Sequence, residues 1–193
     1  MVTMAKIEIE YKYELENTDE VIKFLDKNAK LKYASHQIDT YYDSESVGYT
    51  EDLENGRRID LWLRVREEGD RASINFKDWS ISDNACYCEE LESNVSDPKD
   101  VKGIFERMHF APVIVVDKAR RVYEFGDTEI SIDQVKDLGD YIELEYYGKE
   151  KDVRRAQKSL KDRIGQIGAK VADQEDDKGY PYWLIERSRK GIS

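Results

Sequence analysis

The sequence predicts an α+β fold: antiparallel strands with helices packed against one side of the sheet. Three observations predict it. Apolar and charged residues alternate with a period of two in segment after segment, as in strands whose two faces differ. Most of these segments follow one another through short turns, which favours antiparallel pairing. Between them lie stretches whose apolar residues recur at helical spacing.

The elements follow in order. "KIEIEYKYEL", from Lys6 to Leu15, places Ile7, Ile9, Tyr11 and Tyr13 on one face and Glu8, Glu10 and Lys12 on the other. "ENTDEVIKFLDKNAK" reads as a helix capped by Asn17 or Thr18, with Asp19 and Glu20 at the positive end of its dipole. Val21, Phe24 and Leu25 form its apolar stripe. "SHQIDTYYD" is a strand, and the polar "SESVGYTEDLENGRR" is a loop. "RIDLWLRVRE" and "ASINFKDW" form a hairpin about "EGDR", and "ACYCEELESNV" adds another strand. Asp97 then caps a helix that opens at Pro98, with Val101, Ile104, Phe105 and Met108 on its apolar face. "VIVVDKARRVYEF", "TEISIDQV" and "DYIELEYYG" are three further strands. A helix from about Lys149 to Gly168 buries Val153, Ala156, Leu160, Ile164 and Ile167, and "YPYWLIERS" is a last short helix.

Composition bounds the function. The 193 residues suffice for one domain with a sizeable core, and no linker divides the chain, so residues 1–193 are read as one domain. Charged residues make up 38% of the chain and aromatics 11%, a balance that excludes disorder. The net charge of −11 speaks against a broad basic face, and so against a nucleic-acid duplex as partner. No apolar run is long enough to cross a bilayer and no signal-peptide pattern opens the chain, which predicts a cytoplasmic protein without a membrane partner. Cys86 and Cys88 have no second ligand pair at zinc spacing and read as reduced thiols. His36 and His109 read as structural or surface groups, and the tyrosines mostly as packing residues.

The charged faces sort by sign. Arg64 and Arg66 share a face, as do Lys118 and Arg120, and Lys77 stands opposite Ile74 and Phe76. Glu90 and Glu92 share a face, as do Glu143 and Glu145, and Asp133 faces away from Ile130 and Ile132. A merely soluble surface mixes signs. If the helices cover the outside of a closed or nearly closed sheet, these faces point inward. Each desolvated ion then costs several kcal/mol, of order, unless it is paired or hydrated. A wet cavity for charged ligands satisfies that condition. Carboxylates suit a hard divalent cation such as Mg²⁺ or Mn²⁺, and the basic set suits a polyanion. Together they point to a metal-bound polyphosphate.

"IEIEYK" is an E-x-E-x-K triplet. It resembles the signature of the CYTH superfamily, the triphosphate tunnel metalloenzymes. "DTYYD", "LRVRE", "NFKD", "CEELE", "DKARRVY", "IDQVKDLGDYIELE" and "YPYWL" fall in family order across almost the whole chain. "LGDYIELE" and "DKGYPYWL" look most like the class IV adenylyl cyclase and thiamine-triphosphatase-like branch. Two departures stand out. Val2 to Lys6 occupy the place of a His-Phe pair found in some bacterial class IV cyclases, and Cys88 stands where many relatives carry a basic residue.

The resemblance implies an eight-stranded antiparallel β-tunnel with helices outside. It implies that Glu8, Glu10, Glu143 and Glu145 bind the divalent metal, with Asp133 and Glu90 or Glu92 completing the acidic side. Lys12, Arg64, Arg66, Lys77, Lys118 and Arg120 would hold the triphosphate. Glu8, Glu10, Lys12, Asp133, Glu143 and Glu145 form the expected catalytic set. The expected reaction is hydrolysis of tripolyphosphate, thiamine triphosphate or a nucleoside triphosphate such as ATP. The alternatives are cyclisation of ATP to cyclic AMP and pyrophosphate, and a non-catalytic polyphosphate sensor. Related proteins are often dimers, so the resemblance also allows a homodimer.

Overall fold

The computed structural model describes residues 6–7, 9–46, 48, 60–82, 85–146, 153–173, 176 and 178–191. Its strands are β1 (Lys6–Ile7), β2 (Glu10–Glu14), β3 (Lys30–Asp43), β4 (Leu61–Glu68), β5 (Arg71–Ser82), β6 (Ala85–Val95), β7 (Ala111–Phe125), β8 (Thr128–Val135) and β9 (Gly139–Tyr146). Its helices are α1 (Thr18–Asn28), α2 (Pro98–Arg107), α3 (Val153–Gln166) and α4 (Tyr180–Arg189). The eight predicted strands are all present, the first of them divided into β1 and β2.

All pairings are antiparallel, in the order β1-β6-β5-β4-β3-β7-β8-β9-β2. The two pieces of the opening strand therefore stand at opposite edges of one sheet. The antiparallel α+β sheet is as expected; of the closed or nearly closed tunnel, hydrogen-bonded closure is not seen among the described residues, where the sheet has two edges. The reason lies in the C-terminal segment. Alternate residues of a strand turn their backbone groups to opposite sides. On the side of β2 away from β9, the Lys12 carbonyl accepts from Asp176 N at 2.8 Å and the Glu14 carbonyl from Ala172 N at 3.1 Å. Glu16 N donates to Lys170 O at 2.9 Å, and Leu15 bridges Val171. The C-terminal chain thus satisfies backbone groups that an open edge would leave to solvent.

The helices pack as their stripes require. Val21 and Leu25 of α1 and Leu160 of α3 join Tyr11, Tyr13, Ile130, Ile132, Ile142 and Leu144 in the largest apolar cluster. A smaller cluster sets Phe105 of α2 against Tyr42 and Val65, while Ile104 and Met108, expected on the buried face, are exposed. Of the stripe, Phe105 and the half-buried Val101 pack against the sheet. In α4, Tyr180, Tyr182, Leu184 and Ile185 pack with Tyr41, Trp62, Val116, Val135 and Tyr141.

Two caps test the local reading. Asp97 accepts from Lys99 N at 2.8 Å and caps α2 as expected. Asn17 precedes α1 but its side chain serves another purpose. Its Nδ2 donates to Gly168 O at 3.0 Å and its Oδ1 accepts from Lys170 N at 2.7 Å, which ties the start of α1 to the chain after α3. The same Nδ2 also donates to Glu20 Oε2 at 2.9 Å, so Asn17 joins a local and a long-range contact without capping a backbone N–H of α1.

Candidate active site

Residues on β2 through β9 and the start of α4 surround one cavity of about 560 Å³. Strand alternation selects its lining. With Ile130, Ile132, Ile142 and Leu144 turned to the helices, the residues between them turn the other way. Glu10, Lys12, Arg64, Arg66, Lys77, Glu90, Glu92, Lys118, Arg120, Glu143 and Glu145 all line the cavity. Glu90 is half-buried and Glu92 exposed at the wall. Glu8 lies outside the described residues. Asp133 is placed differently from the rest: it is 1% exposed and sits beneath the lining.

On the β7–β8–β9–β2 wall the charges form one network. Lys12 Nζ stands 3.1 Å from Glu143 Oε2, and Arg120 Nη2 donates to the same oxygen at 3.3 Å. Arg120 grips Asp133 with two bonds, Nε to Oδ1 at 2.7 Å and Nη2 to Oδ2 at 2.6 Å. Lys118 Nζ donates to Asp133 Oδ2 at 3.2 Å, and the Tyr180 hydroxyl donates to it at 2.8 Å. Tyr180 also turns its ring to Lys12 and Lys118, whose Nζ atoms lie 4.9 and 5.1 Å from its centroid.

These contacts decide the ionisation. Burial opposes the Asp133 charge, but Arg120 and then Lys118 outweigh it and bring its pKa down to about 2. Glu143 is likewise held well below the carboxylate range: burial opposes its charge, and Lys12 and Arg120 outweigh it. Burial also opposes the Lys12 charge, yet Glu143 and then Glu10 hold it above the usual lysine value. Lys118 goes the other way. Burial, reinforced by neighbouring Arg120, pushes it down to about 7.

The opposite wall is built from β3 to β6. Arg66 meets the buried Asp39 side-on, Nε to Oδ1 and Nη2 to Oδ2, both at 2.6 Å. Arg64 Nη1 reaches Asp39 Oδ2 and the Tyr41 hydroxyl, each at 3.4 Å. Lys77 Nζ lies 3.5 Å from Glu90 Oε2, and Asn75 Nδ2 donates to Glu90 Oε1 at 3.1 Å. Trp62, Trp79 and Tyr41 give this wall an aromatic patch, and Lys77 Nζ lies 5.2 Å from the Trp79 ring.

Sequence reasoning named no role for several of these groups. Asp39 and Tyr41 alternate within "DTYYD", and Glu129 lies on the Asp133 face, so period-two reading had the signal for all three. Asp176 had none, and Tyr180 stood only within the "YPYWL" stretch of the resemblance with no role attached, because the C-terminal segment reaches the cavity only through tertiary packing.

The donor chemistry fits a hard divalent cation. Glu10 pairs directly with Glu145 across β2 and β9, and Glu145 with Glu129 across β9 and β8. All three carboxylates line the cavity. Among the described residues no three acidic, histidine or cysteine groups are gathered tightly enough to hold an ion alone. Mg²⁺ is commonly held through one or two carboxylates together with substrate phosphates and water, which this pair of facing glutamates can serve.

A CYTH domain model matches residues 6–175. The chain belongs to the CYTH domain family. It is 31% identical, over 140 residues, to the Methanocaldococcus jannaschii protein named "Putative adenylate cyclase MJ0240", an alignment spanning 72% of this chain and 76% of that one. The fold matches the PH1819 protein of Pyrococcus horikoshii with a TM-score of 0.74 at 22% identity, covering 93% of this chain and 99% of that chain. It also matches the Hippeastrum protein HpAC1, named a "putative adenylyl cyclase" with a dominant triphosphatase activity. That match has a TM-score of 0.63 at 16% identity, covering 94% of this chain and 96% of that chain. The family supports an enzyme acting on triphosphate substrates. Among the described residues no helix is long and apolar enough to cross a membrane.

Proposed function

We propose that this chain is a divalent-metal-dependent triphosphatase, hydrolysing tripolyphosphate, thiamine triphosphate or a nucleoside triphosphate within a nearly closed tunnel. One observation carries the reading: cations from both walls converge on a cavity that also holds facing carboxylates. Seven cationic and seven acidic side chains line it among the described residues, with Asp39 and Asp133 beneath. The cavity therefore carries no surplus of positive charge for a polyanion. A divalent cation entering with the substrate would supply that charge.

Each group has a task under this reading. Glu10 and Glu145 would hold Mg²⁺ or Mn²⁺, which would supply neutralisation of phosphate charge. Arg64, Arg66 and Lys77 on one wall, and Lys12, Lys118 and Arg120 on the other, would fix the phosphate chain between them. Their N–H groups would also stabilise charge that develops on the phosphoryl oxygens. Their paired carboxylates hold them in place before the substrate arrives, which lowers the ordering cost of binding. The aromatic patch of Trp62, Trp79 and Tyr41 offers a surface for an organic group carried on the phosphates.

A second reading is cyclisation of ATP. The similarity to the M. jannaschii protein favours it. The two reactions differ in which phosphorus stands before the nucleophile. Phosphorus NMR of the products, with Mg²⁺ or Mn²⁺ and with each triphosphate supplied separately, distinguishes them. Orthophosphate with a diphosphate product supports the triphosphatase. Cyclic AMP with pyrophosphate replaces it with the cyclase. Binding without turnover in every sample rejects both.

A further inference from the structure

The two walls repeat one device. In β4 and in β7 a pair of cations is spaced two residues apart, Arg64 with Arg66 and Lys118 with Arg120. The second member of each pair is gripped by a buried aspartate on the neighbouring strand. Arg120 uses Nε and Nη2 on Asp133, and Arg66 uses the same two atoms on Asp39. Both aspartates are 1% exposed, and neither lines the cavity that the arginines line.

Geometry separates orientation from neutralisation. Neutralising a guanidinium requires only a nearby carboxylate. The Asp39 carboxylate instead meets one edge of the Arg66 fork with two parallel bonds, which fixes the plane of the group. A guanidinium has five N–H donors, and two of them are taken here. The remaining donors belong to the edge away from Asp39. Arg64 is held less firmly, at 3.4 Å through one nitrogen, and its Nε is buried without a hydrogen-bond partner among the described residues.

We propose that Asp39 is a positioning residue, which fixes the Arg66 guanidinium plane so that its outer edge presents donors to a phosphate group of the substrate. The inference rests on the triphosphate reading given above. It assigns Asp39 to phosphate binding through Arg66, and gives it no contact with metal or substrate. Asp39 stands opposite Arg66 in the β3–β4 register, so the relation is set by strand pairing. The carboxylate is ionised throughout the neutral range: burial opposes its charge, but Arg64 and then Arg66 outweigh that effect and hold its pKa low.

Calorimetric titration with tripolyphosphate in the presence of Mg²⁺ tests this in four proteins: wild type, Asp39→Asn, Arg66→Ala and the double variant. Asp39→Asn retains the size of the side chain but cannot accept both bonds from the fork. It is expected to weaken binding about tenfold, while adding less than about twofold to the loss already caused by Arg66→Ala. A purely structural role would lower affinity equally in both backgrounds, and that result overturns the proposal. So does wild-type affinity in Asp39→Asn. Should Asp39→Asn fail to fold, Arg66→Lys takes its place, because lysine retains the charge and loses the fork. A loss of about tenfold then sustains the proposal, and wild-type affinity overturns it. If wild-type protein does not bind tripolyphosphate at all, the triphosphate reading itself fails, and the role of Asp39 fails with it.

Discussion

The two walls of the cavity follow the same alternation but are supported differently. The β7–β8–β9–β2 wall is backed by α1 and α3 through the largest apolar cluster, and its inner charges are interlocked around Asp133 and Glu143. The β4–β5–β6 wall is backed by α2 through a small cluster around Phe105. At its far strand, Leu91 of β6 is 54% exposed. The comparison teaches that the two walls differ at their outer strands and not at their centres: Arg66 on Asp39 is paired as closely as Arg120 on Asp133. Where the backing thins, Lys77 and Glu90 keep partial exposure and a looser pairing at 3.5 Å.

Substitutions can break or sharpen this contrast. The largest effect is expected in the supported wall. Ile142→Ala removes a fully buried side chain from the outer face of β9 and should cost about 2–5 kcal/mol by chemical denaturation. A loss below about 1 kcal/mol would mean that α1 and α3 do not support the wall. Next comes the inner face of the neighbouring strand. Glu10→Gln should lower triphosphate turnover about a hundredfold or more while leaving the melting temperature nearly unchanged, because it removes a cavity carboxylate and no core packing. Normal activity with normal metal dependence would remove Glu10 from the site.

A smaller effect concerns pH. Lys118 has its pKa lowered by burial and by Arg120 to about 7, below its ordinary value of 10.5. Between these values the unfolded chain binds more protons at this residue than the folded chain does. The destabilising contribution is therefore complete below about pH 7 and declines as pH rises toward 10.5. The stability gained by Lys118→Met should accordingly shrink between pH 7 and 9.5, as measured by thermal unfolding of both proteins. A constant difference would show that Lys118 is charged throughout. The smallest effect belongs to the thinly backed wall, where Leu91→Ala should change stability by less than about 0.5 kcal/mol. A loss matching that of Ile142→Ala would mean that something covers β6 in solution.

Much of this was legible in the chain. The predicted strands and four helices are present, although β3 already begins at Lys30 rather than at Ser35, and the described charged residues chosen by alternation line one cavity, Asp133 excepted. The misses share a cause. Ile104 and Met108 continue the stripe of α2 yet stand exposed, because a stripe tells which face is apolar and not how far the opposing surface extends. Asn17 was read as a cap, but its side chain is drawn to Gly168 and Lys170, more than 150 positions away. Asp133 was grouped with the metal carboxylates because it shares their inner face, and it lies instead beneath Arg120, Lys118 and Tyr180.

By itself the sequence determined which residues share a face. Side-chain alternation is a local property of extended backbone, and helical spacing is a local property of the helix. Only the tertiary structure decided the partners: Asp39 for Arg66, Glu143 for Lys12 and Arg120, Tyr180 for Asp133, and the C-terminal segment for the open side of β2. Those choices depend on strand register and on segments that meet from far along the chain. A charge can be paired with any opposite charge that the fold brings within reach, and reach is a property of the assembled sheet.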